Sequence, residues 1–264
     1  MLKTIDYSRL GPPSGSRIVL AGGAGGIGRE LIAACHALGH RVVVLDLQAS
    51  IDGSAKVDGV DYIAFDGADP GSIAAAVAAV AQKGEAVDGF VFLSGYPILP
   101  RRPLQDVSLA DWNALMDVNL RSAYLLTTGL LPLLAKASAP AIVTVASSLG
   151  YQVMPGMAAY ATSKGGLVSL TKALAMENAP RIRVNAVAPG AVETSFLGGG
   201  TGREEMASDR SWFDSMSDKY VASIPLGRVA EPADVAAPIL FLLGSASAYM
   251  TGQVLHLNGG RLTP

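Results

Sequence analysis

The chain has 264 residues, of which 50% are hydrophobic and 16% charged, and its formal net charge is −2. This length is sufficient for one large α/β domain with a sizeable core. The small net charge gives no support to nucleic-acid or membrane-surface binding, both of which require basic patches.

Cysteine usage and hydropathy favour a cytoplasmic protein. Cys35 is the single cysteine, which excludes an intrachain disulfide and suits a reducing compartment. The N-terminal stretch lacks the apolar segment of a signal peptide. The most apolar region is interrupted by Arg121, Pro132, Lys136 and Pro140, so no membrane span is expected.

Short apolar runs alternate with longer segments rich in alanine and leucine. The runs are RIVLA (17–21), RVVVLD (41–46), YIAFD (62–66), GFVFL (89–93), AIVTVA (141–146), IRVNAVA (182–188) and, after a helix near 232–243, GQVLHLNGG (252–260). Strands of this kind between helices predict a parallel sheet covered on both faces. We therefore predict an α/β Rossmann fold, a doubly wound parallel sheet of about seven strands in a single domain over 1–264. A long irregular insert at about 194–225 is expected to form a substrate-binding loop.

The first run continues into a glycine-rich segment. Gly22, Gly26 and Gly28 lie between the strand and a helix, where they allow a tight turn and let backbone N–H groups approach a pyrophosphate. By itself the cluster is equally compatible with an ordinary turn.

Asp46 strengthens the dinucleotide interpretation. It ends the second run, 18 residues after Gly28, where a carboxylate accepts hydrogen bonds from ribose hydroxyls and repels a 2′-phosphate. NAD is therefore favoured over NADP, although Arg29 and Arg41 are near in sequence and Asp46 could also be a solvated or capping residue.

The segment YATSKGGLVSLTKALAMEN places Tyr160 and Lys164 four residues apart, hence on one face of a helix. Such pairs occur by chance on many helices. Ser147, thirteen residues before Tyr160, could make ordinary strand-end hydrogen bonds, and Asn119 could cap a helix beginning at Leu120.

Taken together, these motifs resemble the short-chain dehydrogenase/reductase (SDR) family along essentially the whole chain. The matches are G-x-x-x-G-x-G at Gly22, Gly26 and Gly28, Asn119 in DVNLRSAY, Ser147 and Gly150 in ASSLG, Y-x-x-x-K at Tyr160 and Lys164, RVNAVAPGAVET with Asn185, Pro189, Gly190 and Thr194, and the closing PLGRVAEPADVAAPILFLLGSASAYMTGQVLHLNGG. Their order and spacing make chance agreement an unsatisfactory explanation.

The resemblance implies a catalytic set of Asn119, Ser147, Tyr160 and Lys164. Tyr160 would act as the base; lowering its pKa from about 10 by two to three units requires roughly 3 to 4 kcal/mol, which Lys164 and an oxidised nicotinamide would supply. Ser147 would bind the substrate oxygen, and Asn119 would hold a water that relays protons through Lys164.

The resemblance also implies the ligand contacts. The cofactor-binding set is Gly22, Gly26, Ile27, Gly28, Asp46, Leu47, Asp66, Gly67, Ser94, Gly95, Tyr160, Lys164, Pro189, Gly190, Val192 and Thr194. The substrate-binding set is Tyr96, Ser147, Tyr151, Tyr160 and Phe196. No metal is expected.

Two segments depart from the family pattern. Phe92 to Gly95 read FLSG instead of N-N-A-G, and Asn258 replaces the aspartate of D-G-G. These changes put cofactor affinity in doubt more than the type of reaction.

The loops expected to form the substrate pocket are 96–102, 151–157 and the insert, with Phe196, Leu197, Met206, Trp212, Phe213, Met216 and Tyr220. They favour an apolar, aromatic or alicyclic small-molecule alcohol or ketone, although these side chains could equally pack on the domain. Five acidic against three basic residues between Ser195 and Ile224 weigh against carrier-protein or coenzyme-A esters, and Arg101 and Arg102 could anchor a carboxylate.

A helix near 120–136 is apolar on nearly all sides, which predicts burial against a second copy. The resemblance implies a homotetramer or homodimer.

The sequence thus predicts an NAD-dependent short-chain alcohol dehydrogenase or carbonyl reductase. A catalytically silent dinucleotide-binding sensor on the same fold is the alternative. A sugar-nucleotide epimerase is disfavoured because only 70 residues (264 − 194) follow Thr194.

Overall fold

The β-branched runs pair into one parallel sheet in the computed structural model, which describes residues 10–84, 86–198 and 218–263. The strands are β1 (Arg17–Ala21), β2 (Arg41–Asp46), β3 (Asp61–Ala64), β4 (Gly89–Phe92), β5 (Ala141–Val145), β6 (Arg183–Pro189) and β7 (Val254–Leu257). Their order is β3-β2-β1-β4-β5-β6-β7, and every neighbouring pair is parallel. The predicted doubly wound fold is confirmed.

The strands end earlier than predicted where a polar side chain starts a turn. β3 stops at Ala64 because Asp66 accepts a hydrogen bond from the Ala68 backbone N–H at 2.8 Å. β7 stops at Leu257 because the Asn258 side chain accepts from the Gly260 N–H at 3.0 Å. Hydropathy alone does not signal these side-chain turns.

The helices of the described residues cover both faces of the sheet. They are α1 (Gly26–Ala37), α2 (Gln48–Asp52), α3 (Pro70–Gln82), α4 (Leu109–Met116), α5 (Ser122–Leu134), α6 (Ala158–Asn178), α7 (Asp218–Ala222) and α8 (Pro232–Leu243). A π-helical turn, Asp117–Arg121, joins α4 to α5. The helix expected near 120–136 therefore starts at Leu109, with Ser108 as its N-cap accepting from the Asp111 N–H.

Alternation along the strands divides the core in two. On β1, Val19 and Ala21 pack with α3, α5 and α6, whereas Ile18 and Leu20 pack with α1 and α8. All four side chains are fully buried, each contributing up to about 1.5–3 kcal/mol when it is a large aliphatic group. Helices on both faces thus fix the sheet and hold its carboxyl edge in place.

Three arginines satisfy the last carbonyls of helices. Arg17, buried on β1, donates to the carbonyls of Val80 and Gly84 at the end of α3. Arg183 on β6 donates to the Gly244 and Ser247 carbonyls after α8, each at 3.0 Å. In the same way, the Arg181 guanidinium donates to carbonyls just after α5. These carbonyls lie in or just after the last turn of a helix, so the guanidinium groups supply charged donors where regular helical hydrogen bonding ends.

None of the helices in the described part of the chain is long and apolar enough to cross a membrane.

Candidate active site

A cavity of about 570 Å³ lies at the carboxyl edge of the sheet. The strand order reverses between β1 and β4, and a crevice forms at such a point because the loops leave in opposite directions. All sixteen residues expected to contact the cofactor line this cavity, Tyr160 and Lys164 from α6 and the other fourteen from outside that helix. The structure therefore brings the whole predicted cofactor set together, from the first strand to Thr194.

Glycine is required at the loop between β1 and α1. Gly22 has φ +84°, and a β-carbon there would lie 2.7 Å from the Ser94 backbone nitrogen. A β-carbon on Gly26 would lie 2.5 Å from the Thr194 methyl carbon. The loop can approach the segments after β4 and β6 this closely only without side chains, which keeps the start of α1 open to the cavity.

Asp46 lies at the end of β2 with both carboxylate oxygens engaged. They accept hydrogen bonds from the backbone N–H groups of Ala24, at 2.9 Å, and Leu47, at 2.8 Å. Burial raises the pKa of Asp46, and these hydrogen bonds oppose the rise. The carboxylate is thus tied to the glycine-rich loop while it lines the cavity.

The two nearby arginines do not line this part of the cavity. Arg41 starts β2 at the opposite edge of the sheet and donates to the Gly15 carbonyl. Arg29 is exposed on α1 and donates to the Ala24 carbonyl at 3.5 Å. Asp46 and Asp66 are the charged side chains that line this end of the cavity, and both are acidic.

Tyr160 and Lys164 lie on α6 as the spacing predicts, and they are only 6% and 2% exposed. The Lys164 ammonium donates to the Val145 carbonyl at 2.9 Å and lies 5.8 Å from the centre of the Tyr160 ring. Ser147, two residues after β5, hydrogen-bonds to the Tyr160 phenol and accepts from the Leu149 N–H. A phenol, a hydroxyl and an amine therefore converge beside the cavity.

Burial is the main influence on the pKa values of Tyr160 and Lys164. It raises the pKa of Tyr160, with the Ser147 hydrogen bond acting in the opposite direction. It lowers the pKa of Lys164 to about 8. The lowering of the Tyr160 pKa expected from the sequence depends on Lys164 together with an oxidised nicotinamide, and for that complex it stays a prediction. In the chain by itself, loss of hydration outweighs a lysine that points to a carbonyl.

Asn119 lies inside the π-helical turn and is fully buried. Its amide donates to the Tyr96 carbonyl and to the Ser163 hydroxyl, both at 3.0 Å, and accepts from the Tyr96 N–H at 2.9 Å. The alternative that Asn119 caps a helix is wrong, because the helix continues through it. Its side chain holds the segment after β4, and it does not line the cavity.

The FLSG departure preserves the cavity wall. Gly95 has φ +153°, and a β-carbon there would lie 3.1 Å from the Asn119 carbonyl oxygen. Leu93 donates its backbone N–H to Ala21 at 2.8 Å and packs against the core shared with α1 and α8. An apolar contact therefore takes the place of the asparagine hydrogen bonds.

Four of the five residues predicted to bind substrate line the cavity. Tyr96, Ser147, Tyr160 and Phe196 do so, and the Phe196 ring lies 6.0 Å from that of Tyr160. Tyr151 does not; its ring makes an edge-to-face contact with His256, 4.5 Å between centroids. The turn Ser148–Gly150 redirects the chain and carries Tyr151 away from the opening.

The expected pocket residues Met206, Trp212, Phe213 and Met216 lie outside the described residues. The Leu197 side chain also lies outside the described part, whereas Tyr220 lines the cavity. Arg261 also lines it and was missed by sequence reasoning. Its position just beyond the final strand was the available signal, since loops at the carboxyl edge meet there.

A glycine-rich strand-to-helix loop, a carboxylate ending the second strand, and a buried tyrosine, lysine and serine define an oxidoreductase that binds a nicotinamide dinucleotide. Residues 22–261 match the model of a family described as enoyl-(acyl carrier protein) reductase. The chain belongs to the short-chain dehydrogenase/reductase family, as the motifs indicated.

The chain is similar to several known proteins. It is 33% identical over 253 residues to the 3-oxoacyl-(acyl-carrier-protein) reductase FabG of Thermotoga maritima, covering 93% of this chain and 97% of the relative. Its similarity to FabG of Aquifex aeolicus, 39% over 155 residues, spans only 58% of each chain. Among solved structures, a glucose/ribitol dehydrogenase of this family from Brucella melitensis superimposes with a TM-score of 0.84 at 28% identity, covering 96% of this chain and 99% of that one.

Proposed function

We propose that this chain is an NAD-dependent oxidoreductase that interconverts a secondary alcohol and a ketone on an apolar, aromatic or alicyclic small molecule. One observation carries the proposal: Tyr160, Ser147 and Lys164 converge at the cavity, all three nearly inaccessible to solvent. A silent sensor has no need to keep a lysine buried at such a cost in hydration.

The cavity suits a dinucleotide because its wall contains positions that a β-carbon would fill. Gly22 and Gly26 are such positions, and the residues after β6, Pro189 to Thr194, close the opposite side. When bound, the nicotinamide supplies the hydride acceptor or donor. The start of α1 would hold the pyrophosphate, and Thr194 would hold the carboxamide.

The chain's own residues handle the proton. In oxidation the Tyr160 phenolate would take the proton of the substrate hydroxyl while hydride leaves the carbon that bears this hydroxyl. In reduction the Tyr160 phenol would return the proton to the oxygen. Ser147 holds the substrate oxygen. Lys164 binds the ribose hydroxyls and favours the phenolate, and Asn119 positions Gly95 and Tyr96 through its bonds to the Tyr96 backbone.

Asp46 supports NAD over NADP. A 2′-phosphate placed beside this carboxylate would meet like charge, and the charged residues lining this end are Asp46 and Asp66. The ribose hydroxyls would instead donate to Asp46.

The relatives' names favour a second candidate, reduction of a 3-oxoacyl thioester. The surplus of acidic residues between Ser195 and Ile224 opposes an acidic carrier protein, so we rank this candidate second.

We further propose that segment 194–225 is a substrate-binding loop and that the chain assembles as a homotetramer or homodimer. We also propose that the protein acts in a reducing cytoplasm, which suits the single Cys35.

The test combines cofactor binding with turnover. NADH should raise the melting temperature more than NADPH, and an absorbance screen should find turnover among hydrophobic, aromatic or sugar-derived secondary alcohols or their ketones. Tyr160→Phe should keep the NADH stabilisation and lose about 10²- to 10⁴-fold in kcat. Tyr249→Phe, fully exposed, is the matched control. Wild-type turnover in Tyr160→Phe would remove Tyr160 from its role.

A further inference from the structure

The acidic and the basic residues that line the cavity come from different parts of the sheet edge. The acidic ones, Asp46 and Asp66, follow β2 and β3, on one side of the point where the strand order reverses. Arg101 follows β4 and Arg261 follows β7, on the other side. Lys164 lies between the two groups. The half of the cavity left for substrate therefore contains cationic side chains, and its described lining includes no carboxylate.

Arg101 is held at the mouth by its backbone. A β-carbon on Gly156, which has φ +80°, would lie 3.0 Å from the Arg101 β-carbon, so the loops 96–102 and 151–157 touch there. The guanidinium contacts the Met154 sulfur at 3.9 Å, and sulfur is a weak acceptor. Among the described residues no carboxylate lies within ion-pair distance of Arg101.

The neighbouring arginine behaves differently. Arg102 pairs with Asp111 at 3.6 Å and does not line the cavity. The sequence could not distinguish the two residues, and the fold directs only the first toward the site.

Arg261 is oriented from the far side. Its guanidinium lies 4.6 Å from the centre of the Tyr220 ring, and its Nε donates to the Ser223 hydroxyl at 2.9 Å. Stacking on the Tyr220 ring and this hydrogen bond fix the plane of the guanidinium. The terminal N–H groups of Arg261 remain available to a ligand.

Apolar side chains line the same cavity as the two arginines. They include Leu99, Leu149, Met154, Met157 and Phe196. A ligand that fits this half must therefore combine an apolar body with a group that satisfies guanidinium donors.

We propose that the substrate carries an anionic oxygen group, remote from its carbonyl or hydroxyl, which Arg101 and Arg261 bind at the mouth of the cavity. The inference rests on the proposed alcohol/ketone chemistry and narrows its substrate class. Guanidinium groups bind carboxylates, sulfonates and phosphates through paired, charge-assisted hydrogen bonds. The group would be a carboxylate or sulfonate of a small ketone, or the phosphate of a pantetheine thioester.

The test uses substrate pairs that differ only in charge. With NADH we would compare para-acetylbenzoate with para-acetylbenzamide, and acetoacetyl-phosphopantetheine with acetoacetyl-pantetheine. We expect kcat/KM to favour the anionic member of one pair by about tenfold to a hundredfold. Arg101→Gln and Arg261→Gln should each reduce that preference about tenfold, through a higher KM for the anionic member. Arg102→Gln is the matched control and should keep the preference.

Binding titrations of the same compounds, followed by calorimetry with NADH present, separate the two hypotheses. Turnover without charge preference, or variants no different from Arg102→Gln, would overturn the anion site and leave the proposed function standing. Arg-dependent selective binding without turnover would support the site and overturn the alcohol/ketone chemistry. Neither turnover nor selective binding would overturn both.

Discussion

The proposed preference for NAD rests on Asp46, whose carboxylate accepts hydrogen bonds from the Ala24 and Leu47 N–H groups. We predict that Asp46→Asn raises the Kd for NADH about tenfold, because a charged acceptor for the ribose hydroxyls is lost. The Kd for NADPH should change little or fall, because repulsion of its phosphate is relieved. Fluorescence titration with both nucleotides measures the ratio, with Arg41→Gln as a control at the other edge of the sheet. An unchanged ratio would refute ribose recognition by Asp46.

Lys164 is buried at a cost that depends on pH. Its pKa is about 8 in the folded chain and about 10.4 when unfolded, so between these values the unfolded chain binds more protons and wild-type stability rises with pH. Lys164→Met lacks this dependence. Relative to wild type, the variant should lose roughly 3 kcal/mol of unfolding free energy between about pH 7 and about pH 10.5. Urea unfolding across this range measures it; parallel curves would contradict the argument.

Arginines such as the half-buried Arg183 connect helix ends to the sheet. Arg183→Met should cost about 2–4 kcal/mol of unfolding free energy, because the Gly244 and Ser247 carbonyls after α8 lose charged donors. Arg41→Met removes a single exposed hydrogen bond and should stay within about 0.5 kcal/mol. Urea denaturation compares the two. Equal effects would mean that water replaces the guanidinium without loss.

At the scale of elements, sequence periodicity located both ends of every strand to within three residues. It failed where two helical segments join. The π-helical turn at Asp117–Arg121 keeps the chain helical and buries Asn119, so the residue that could cap a helix instead holds the loop after β4. Local sequence spacing cannot distinguish a helix cap at Asn119 from a continuous helical segment, because Asn119 and its neighbours have the same order in both cases.

At the scale of the whole molecule, large apolar side chains are exposed on α5 and α6. Tyr124 is 50% exposed on α5 and Met176 is 80% exposed on α6. Because exposed large apolar side chains can mark interfaces, we predict that the chain sediments as a dimer or tetramer. Tyr124→Glu should shift the mass toward the monomer, whereas Leu38→Glu, at the exposed C-cap of α1, should not. A monomeric wild type would contradict this.

Spacing along the chain predicted the parallel sheet, the glycine-rich turn and the shared helix face of Tyr160 and Lys164, and the family resemblance added Ser147 beside that pair. The spacing arguments rest on the periods of strands and helices and on the rule that parallel strands bring their carboxyl ends to one edge. Tertiary packing determines that Arg101 and not Arg102 lines the cavity, that Arg261 joins it from the segment after β7, and that Tyr151 turns away to His256. Likewise, the raised pKa of Tyr160 depends on burial by segments distant in sequence. Side-chain direction and hydration are set by packing between remote elements, which local spacing does not contain.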